Sequence, residues 1–278
     1  MNNMLLRALT GAGYVALIIV CILCGDACFW ALTTLFIVLA QYELQNLLGK
    51  KTNTPFGARI YDIFMIFIFM FSLYLSLNHG RVLYVFPLVL CLSILLYVPV
   101  RIVIAVADKG ESPLKSFMSS ALSMLYIVFP LSLLYLAYYL SGESIILITF
   151  IFIWLNDTGA YLSGISLGKH KMCERLSPKK TWEGFWGGFI LCIAAGIVTS
   201  YLLQQTSPEM VVTWAVYAAL VSVFGTFGDL FESLIKRTVG VKDSGKIIPG
   251  HGGILDRIDS LLAVAPITLL FSLIIDIL

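Results

Sequence analysis

Two short segments repeat one arrangement of side chains suited to holding a divalent cation. GDLFESLIKR, residues 228–237, puts Asp229, Glu232 and Ser233 at positions i, i+3 and i+4, and GGILDRIDS, residues 252–260, puts Asp256, Asp259 and Ser260 in the same order. At about 100° per residue, this spacing places each set on one face of a helix. Another acid, Asp157, stands in WLNDTGAYLSG beside Asn156 and one turn before Tyr161. All five acids fall within or at the edge of apolar segments, where ionised groups are costly and mark function. Their mutual repulsion points to hard cations with oxygen ligands, Mg²⁺ first among them. Neutralisation by Arg257 and nearby lysines is the alternative, and it applies most to Glu232.

Basic segments adjoin these acids. SPKKTWEG, Ser177 to Gly184, precedes one apolar window, and KRTVGVKDSGKIIPGHGG, Lys236 to Gly253, precedes another. Cations beside a metal-binding stripe suit a metal-bound polyphosphate. Gly250, Gly252 and Gly253 let the backbone approach a ligand, and the helix that follows is expected to aim free N–H groups at an anion. The segment is not a Walker A motif. His251 has two readings, a turn-holding hydrogen-bonding residue or a direct phosphate or catalytic group. Lys179 and Lys180 fit either a ligand role or lipid head-group contacts. Trp182 and Trp186 suit an interfacial aromatic belt, and Gly184 with Gly188 reads as a helix-packing pair.

The elements that must position these residues are membrane spans. The 278 residues are 59% hydrophobic and 12% charged, with a mean hydropathy of +0.94. A water-soluble core of this length does not need such a balance. Nine windows are long enough to cross about 30 Å as helices: 8–25, 28–48, 60–78, 82–106, 117–140, 144–165, 183–203, 211–234 and 254–277. The fold class expected is therefore all-α, a polytopic integral membrane protein with about nine transmembrane helices. The first window is read as a retained span, not a removable signal peptide.

Sixteen of the 18 Lys and Arg gather at alternate ends and loops, whereas the opposite set holds only Arg81, and Arg257 lies inside the last window. By the positive-inside rule the N-terminus and the polar loops 166–182 and 236–253 are expected to be cytoplasmic. Residues 1–112 read as a transmembrane scaffold with few ionisable groups in its spans. Residues 113–278 read as the catalytic region. Cys21, Cys24 and Cys28 have no His nearby and read as small apolar packing residues.

The run SLIKRTVGVKDSGKIIPGHGGILDRID, Ser233 to Asp259, resembles the signature of phosphatidate cytidylyltransferases, also called CDP-diacylglycerol synthases. The Ser, Lys-Arg, Lys-Asp, His-Gly-Gly and Asp-Arg-x-Asp elements are in register over 27 residues. NDTGAY and SPKKTWEG resemble upstream segments of the same family. The resemblance implies that phosphatidic acid and CTP react, with Mg²⁺, to give CDP-diacylglycerol and pyrophosphate. It also implies a homodimer in a bilayer, a bacterial inner membrane, and no nucleic-acid partner.

By that resemblance Asp229 and Asp256 are the metal-binding pair, with Asp259 beside them. Lys242, Asp243, His251 and Arg257 join them as catalytic residues. Ser177, Lys179, Lys180, Ser233, Lys236, Arg237, Lys246, Gly252, Gly253 and Asp157 are expected to bind substrate. Phosphatidate already carries the attacking oxygen, so catalysis reduces to positioning and charge neutralisation. A secondary transporter would also bury acids, but at the midplane and between repeats, which this sequence lacks. A CTP-dependent polyprenol kinase would share the metal-polyphosphate chemistry and differ in the acceptor.

Overall fold

Apolar windows with no water to bond their backbone groups must satisfy them internally, and the chain does so as helices. In chain order they are α1 (Asn3–Leu23), α2 (Asp26–Thr52), α3 (Phe56–Asn78), α4 (Val82–Ala107), α5 (Pro113–Ser123), α6 (Phe129–Leu167), α7 (Trp182–Leu202), α8 (Pro208–Thr238) and α9 (Leu255–Ile275). A π-helical turn, Met124–Val128, joins α5 to α6. Two short antiparallel strands, β1 (Lys171–Cys173) and β2 (Ser177–Thr181), form a hairpin before α7. This is a computed structural model that describes residues 3–52, 55–78, 82–108, 112–248, 252–275 and 277. Arg81, Gly250 and His251 lie outside the described residues.

The protein is an all-α, multi-pass integral membrane protein. Among the described residues, seven helical stretches are long and apolar enough to cross a membrane, and Leu9–Leu23 is a shorter apolar helix. Two of the nine windows, 117–140 and 144–165, fall in one 55-residue stretch, Pro113–Leu167. Gly142 breaks that stretch with φ +77°, a left-handed conformation that costs glycine nothing. The outward surface is apolar in the manner of a lipid-facing one. On α4, Leu95, Val103 and Val106 are all exposed, a surface that water would punish and a bilayer accepts.

The chain divides into two compact units, Met1–Tyr135 with Asp243–Leu255, and Leu136–Lys242 with Asp256–Leu278. The few ionisable groups expected in the first spans include a buried pair in the first unit. Asp62 and Arg101 are buried and paired, Nε to Oδ1, at 3.2 Å. Asp62 also accepts from Gln45 Nε2 at 2.6 Å, Ser120 Oγ at 2.6 Å and Tyr97 Oη at 2.8 Å. Arg101 is thus an interior charge of α4 and not one of the loop charges among which the sequence grouped it.

In the second unit Tyr217 stacks on Phe271 at 3.9 Å and shares a hydrogen bond with Thr149 at 2.5 Å. Helices α6 and α7 meet backbone to backbone, because a Cβ on Gly184 would lie 2.8 Å from Ala160 O and one on Gly188 2.7 Å from Asn156 O. The small-residue pair of α7 is therefore a packing device, as its spacing indicated.

Candidate active site

The second unit assembles a polar site from α6, the β-hairpin, α8 and α9. Two features of α7 hold the hairpin in place. Thr181 N-caps the helix by accepting from Gly184 N at 3.1 Å, and Glu183 accepts from the backbone N–H groups of Lys169 and His170. The strand ending at Thr181 delivers Lys180 to α8. Its Nζ lies 2.8 Å from Asp229 Oδ2 and donates to Thr226 O at 3.2 Å.

A cavity of about 240 Å³ lies there, lined by Asn156, Asp157, Tyr161, Lys179, Lys180, Thr181, Thr226 and Asp229, among others. Asn156 is fixed within it by Ser222 Oγ, which donates to Asn156 Oδ1 at 2.6 Å. The cavity thus pairs two carboxylates, Asp157 and Asp229, with two lysines, Lys179 and Lys180. That balance suits an anionic ligand accompanied by a cation.

The acid stripes of α8 and α9 face each other. Gly228 makes the close approach possible, since a Cβ there would lie 2.7 Å from Asp259 O. The convergence differs by one turn from the expected ligand trio of Asp229, Asp256 and Asp259. Oxygens of Asp229, Glu232 and Asp259 lie within 4.8 Å of one another. Asp256 instead approaches Lys236, Oδ1 to Nζ at 2.6 Å, and Lys236 also contacts Glu232. The reason is direction: α8 and α9 cross antiparallel here, so advancing from Asp229 to Lys236 on one helix means retreating from Asp259 to Asp256 on the other.

Glu232 is therefore placed for either role left open for it. One oxygen faces Lys236, whereas the other, Oε1, is buried without a hydrogen-bond partner among the described residues. An orphaned carboxylate oxygen beside two further carboxylates fits a hard divalent cation, and these three side chains are the ones placed to hold it. Ser233 lies 3.5 Å from Asp229 Oδ1, at the limit of a hydrogen bond.

The remaining expected residues are distributed as follows. Arg237 is turned to the backbone, donating from Nε to Leu176 O at 3.3 Å and from Nη1 to Val241 O at 2.9 Å. Ser177 opens β2 opposite Cys173. Lys242 is exposed beyond the end of α8, and Arg257 is exposed on the first turn of α9. Asp243, Lys246, Gly252 and Gly253 belong to the first unit, and Asp243 and Lys246 are exposed there.

One expectation is corrected. Two N–H groups at the start of α9 are not free for a ligand phosphate, because Ile254 N and Leu255 N donate to the carboxylate of Glu43, at 3.1 and 2.9 Å. Gly253 likewise packs on Glu43 and Ser244. Glu43 was missed because an isolated acid inside the apolar run of α2 has no motif around it.

The model of the cytidylyltransferase family matches residues 5–275. The chain belongs to that family. Among relatives of this cytidylyltransferase, the phosphatidate cytidylyltransferase of Thermotoga maritima is 30% identical over 272 residues, 96% of each chain. That of Staphylococcus epidermidis is 48% identical over 128 residues, 45% of this chain and 48% of its own. That of Staphylococcus haemolyticus is 41% identical over 155 residues, 55% of this chain and 58% of its own. The staphylococcal matches thus span about half the length of those relatives, whereas the Thermotoga match is nearly end to end.

Proposed function

We propose that this membrane cytidylyltransferase moves CMP from CTP to phosphatidic acid, giving CDP-diacylglycerol and pyrophosphate for phospholipid synthesis. The observation that carries the choice of acceptor is the near full-length identity to a protein named phosphatidate cytidylyltransferase. Geometry by itself supports the wider class, metal-assisted polyphosphate chemistry.

In the proposed reaction a phosphate oxygen of phosphatidate attacks the α-phosphorus of CTP. The bond from that phosphorus to the bridging oxygen breaks, and its electron pair leaves with pyrophosphate. No protein nucleophile is required. Lys179 and Lys180, at the cavity, hold phosphate oxygens and offset charge as the leaving group departs. Lys180 also keeps Asp229 oriented through their 2.8 Å contact. Asp229, Glu232 and Asp259 would hold Mg²⁺, with Asp256 as the further acid that the family resemblance assigns to the metal. When bound, the cation supplies electrostatic neutralisation between two phosphate compounds that otherwise repel. Lys236, held between Glu232 and Asp256, sets the spacing of the two acid stripes. Lys242, Lys246 and Arg257 are assigned to the nucleotide phosphates, with Asp157 and Asp243 as orienting groups.

We further propose a homodimer in a bacterial inner membrane, with the loops 166–182 and 236–253 in the cytoplasm where CTP is. The charge distribution along the sequence supports that orientation. The deciding experiment incubates the purified protein with phosphatidic acid, Mg²⁺ and CTP labelled in its cytidine or its γ-phosphate. Cytidine label is expected in the lipid, and γ-label in pyrophosphate. γ-Label in the lipid would replace this reading with a lipid kinase.

A further inference from the structure

We propose that Glu43 is a positioning residue of the transfer reaction, a buried carboxylate on α2 that ties Ser244 to the Ile254–Leu255 end of the loop before α9. The inference rests on the cytidylyl-transfer reading above. Glu43 is 3% exposed. Its Oε2 accepts from Ser244 Oγ at 3.0 Å and from Leu255 N at 2.9 Å, and its Oε1 accepts from Ile254 N at 3.1 Å. Both ends of the loop are therefore tied to one side chain more than 200 residues earlier in the chain.

The arrangement is specific to a carboxylate. The first N–H groups of a helix have no intrahelical partner, and a negative charge there is favoured by the helix's positive end. Three donors on two oxygens exceed what a single carbonyl oxygen offers. The loop is shaped to match: a Cβ on Gly245 or on Gly253 would overlap the Glu43 carboxylate, and Gly252 takes φ +86°, open to glycine at no cost. An uncompensated carboxylate in a membrane-crossing helix is unfavourable, so these donors are also what allows Glu43 to stand in α2.

Asp243 and Lys246 lie on the loop so held, and Asp256 follows Leu255 directly in the chain. Loop ends fixed before CTP arrives lose less entropy on binding it. Glu43 thereby acts on the reaction without touching substrate.

Glu43→Gln tests this, because glutamine keeps the size but replaces one acceptor by an NH₂ that opposes the donors. The variant is expected to lose at least tenfold in kcat/KM for CTP, chiefly through KM. Amide hydrogen exchange in the peptide covering 252–256 is expected to rise at least tenfold, while exchange in α7 stays at the parent level. Unchanged kinetics, or exchange rising equally in α7, would overturn the proposal, the second result marking Glu43 as merely structural. Should the variant fail to insert, Ser244→Ala removes a single donor and is expected to show a smaller loss with the same localised exchange; parent-like values there would overturn it equally. If the parent itself puts no cytidine label into lipid, the transfer reading fails and takes the catalytic half of this inference with it. The exchange contrast then still reports whether Glu43 holds the loop.

Discussion

Lys236 on α8 places its Nζ 2.6 Å from Asp256 Oδ1 on α9, and the same ammonium contacts Glu232 one turn back on its own helix. One cation thus serves carboxylates of two helices in surroundings from which water is nearly excluded. Such a group does not behave as a surface lysine. Removing one partner from a buried pair costs about 3–5 kcal/mol, because the others remain desolvated and uncompensated.

Lys236→Met is therefore expected to lower the thermal unfolding midpoint in detergent and to abolish cytidylyl transfer, whereas Lys236→Arg retains part of both. A Met variant as stable as the parent would show that the carboxylates find another counter-charge.

The metal assignment separates two kinds of acid. Asp229→Asn, Glu232→Gln and Asp259→Asn are each expected to reduce turnover by about 100-fold or more and to raise the Mg²⁺ concentration needed for half-maximal rate. Asp256→Asn is expected to abolish turnover while leaving membrane insertion intact. Chelation with EDTA should stop the parent enzyme, and added Mg²⁺ should restore it. A Glu232→Gln protein with parent-like Mg²⁺ dependence would remove Glu232 from the ligand set.

Lys180 belongs to the cavity through its contacts to Asp229 and Thr226 O. Lys180→Ala is expected to cost roughly 100-fold in kcat/KM for CTP, the order associated with losing one preorganised donor at a developing charge. Lys171→Ala, exposed on β1 of the same hairpin, is expected to leave kcat/KM within about twofold of the parent. Equal losses from the two would make hairpin charge, and not the Lys180 contact, the relevant quantity.

Much of this site was legible because helical periodicity converts spacing into a shared face. The pairing of Asp229 with Glu232, and of Asp256 with Asp259, follows from their positions along the chain. Their vertical alignment does not, since antiparallel crossing at Gly228 sets which turn of α8 meets which turn of α9, and no local pattern encodes that. The same reason hid Glu43, whose partners lie over 200 residues away. The spans were legible from hydropathy alone, whereas the burial of Asp62 and Arg101 required knowing that α3 and α4 pair. Proximity to a helix end made Arg101 resemble a loop charge.

The crossing itself gives a contrast between two glycines one turn apart. A Cβ on Gly228 would lie 2.7 Å from Asp259 O, whereas on Gly225 it would meet Val264 Cγ2 at an ordinary 3.6 Å. Gly228→Ala is expected to force α8 and α9 apart, costing about 1–3 kcal/mol and most of the activity. Gly225→Ala should leave both nearly unchanged. Equal tolerance at the two positions would mean that the acid stripes do not depend on this close approach.

The Asp62–Arg101 pair yields a test of what a buried charge contributes away from the chemistry. Asp62 is held by Arg101, Gln45, Ser120 and Tyr97 together, so removing its charge takes an acceptor from four donors, and removing Arg101 leaves a buried carboxylate with three neutral donors and no counter-charge. Asp62→Leu and Arg101→Met are each expected to cost about 3–5 kcal/mol of stability, read as a fall in thermal midpoint in detergent. The double variant should be less destabilised than the sum of the two, because neither charge is then left alone. Protein that does insert should keep a near-parent KM for CTP, since neither residue lines the cavity of the second unit. Strict additivity of the two losses would show that the pair interacts no more than distant sites do, and that the hydrogen bonds from Gln45, Ser120 and Tyr97 hold Asp62 without Arg101.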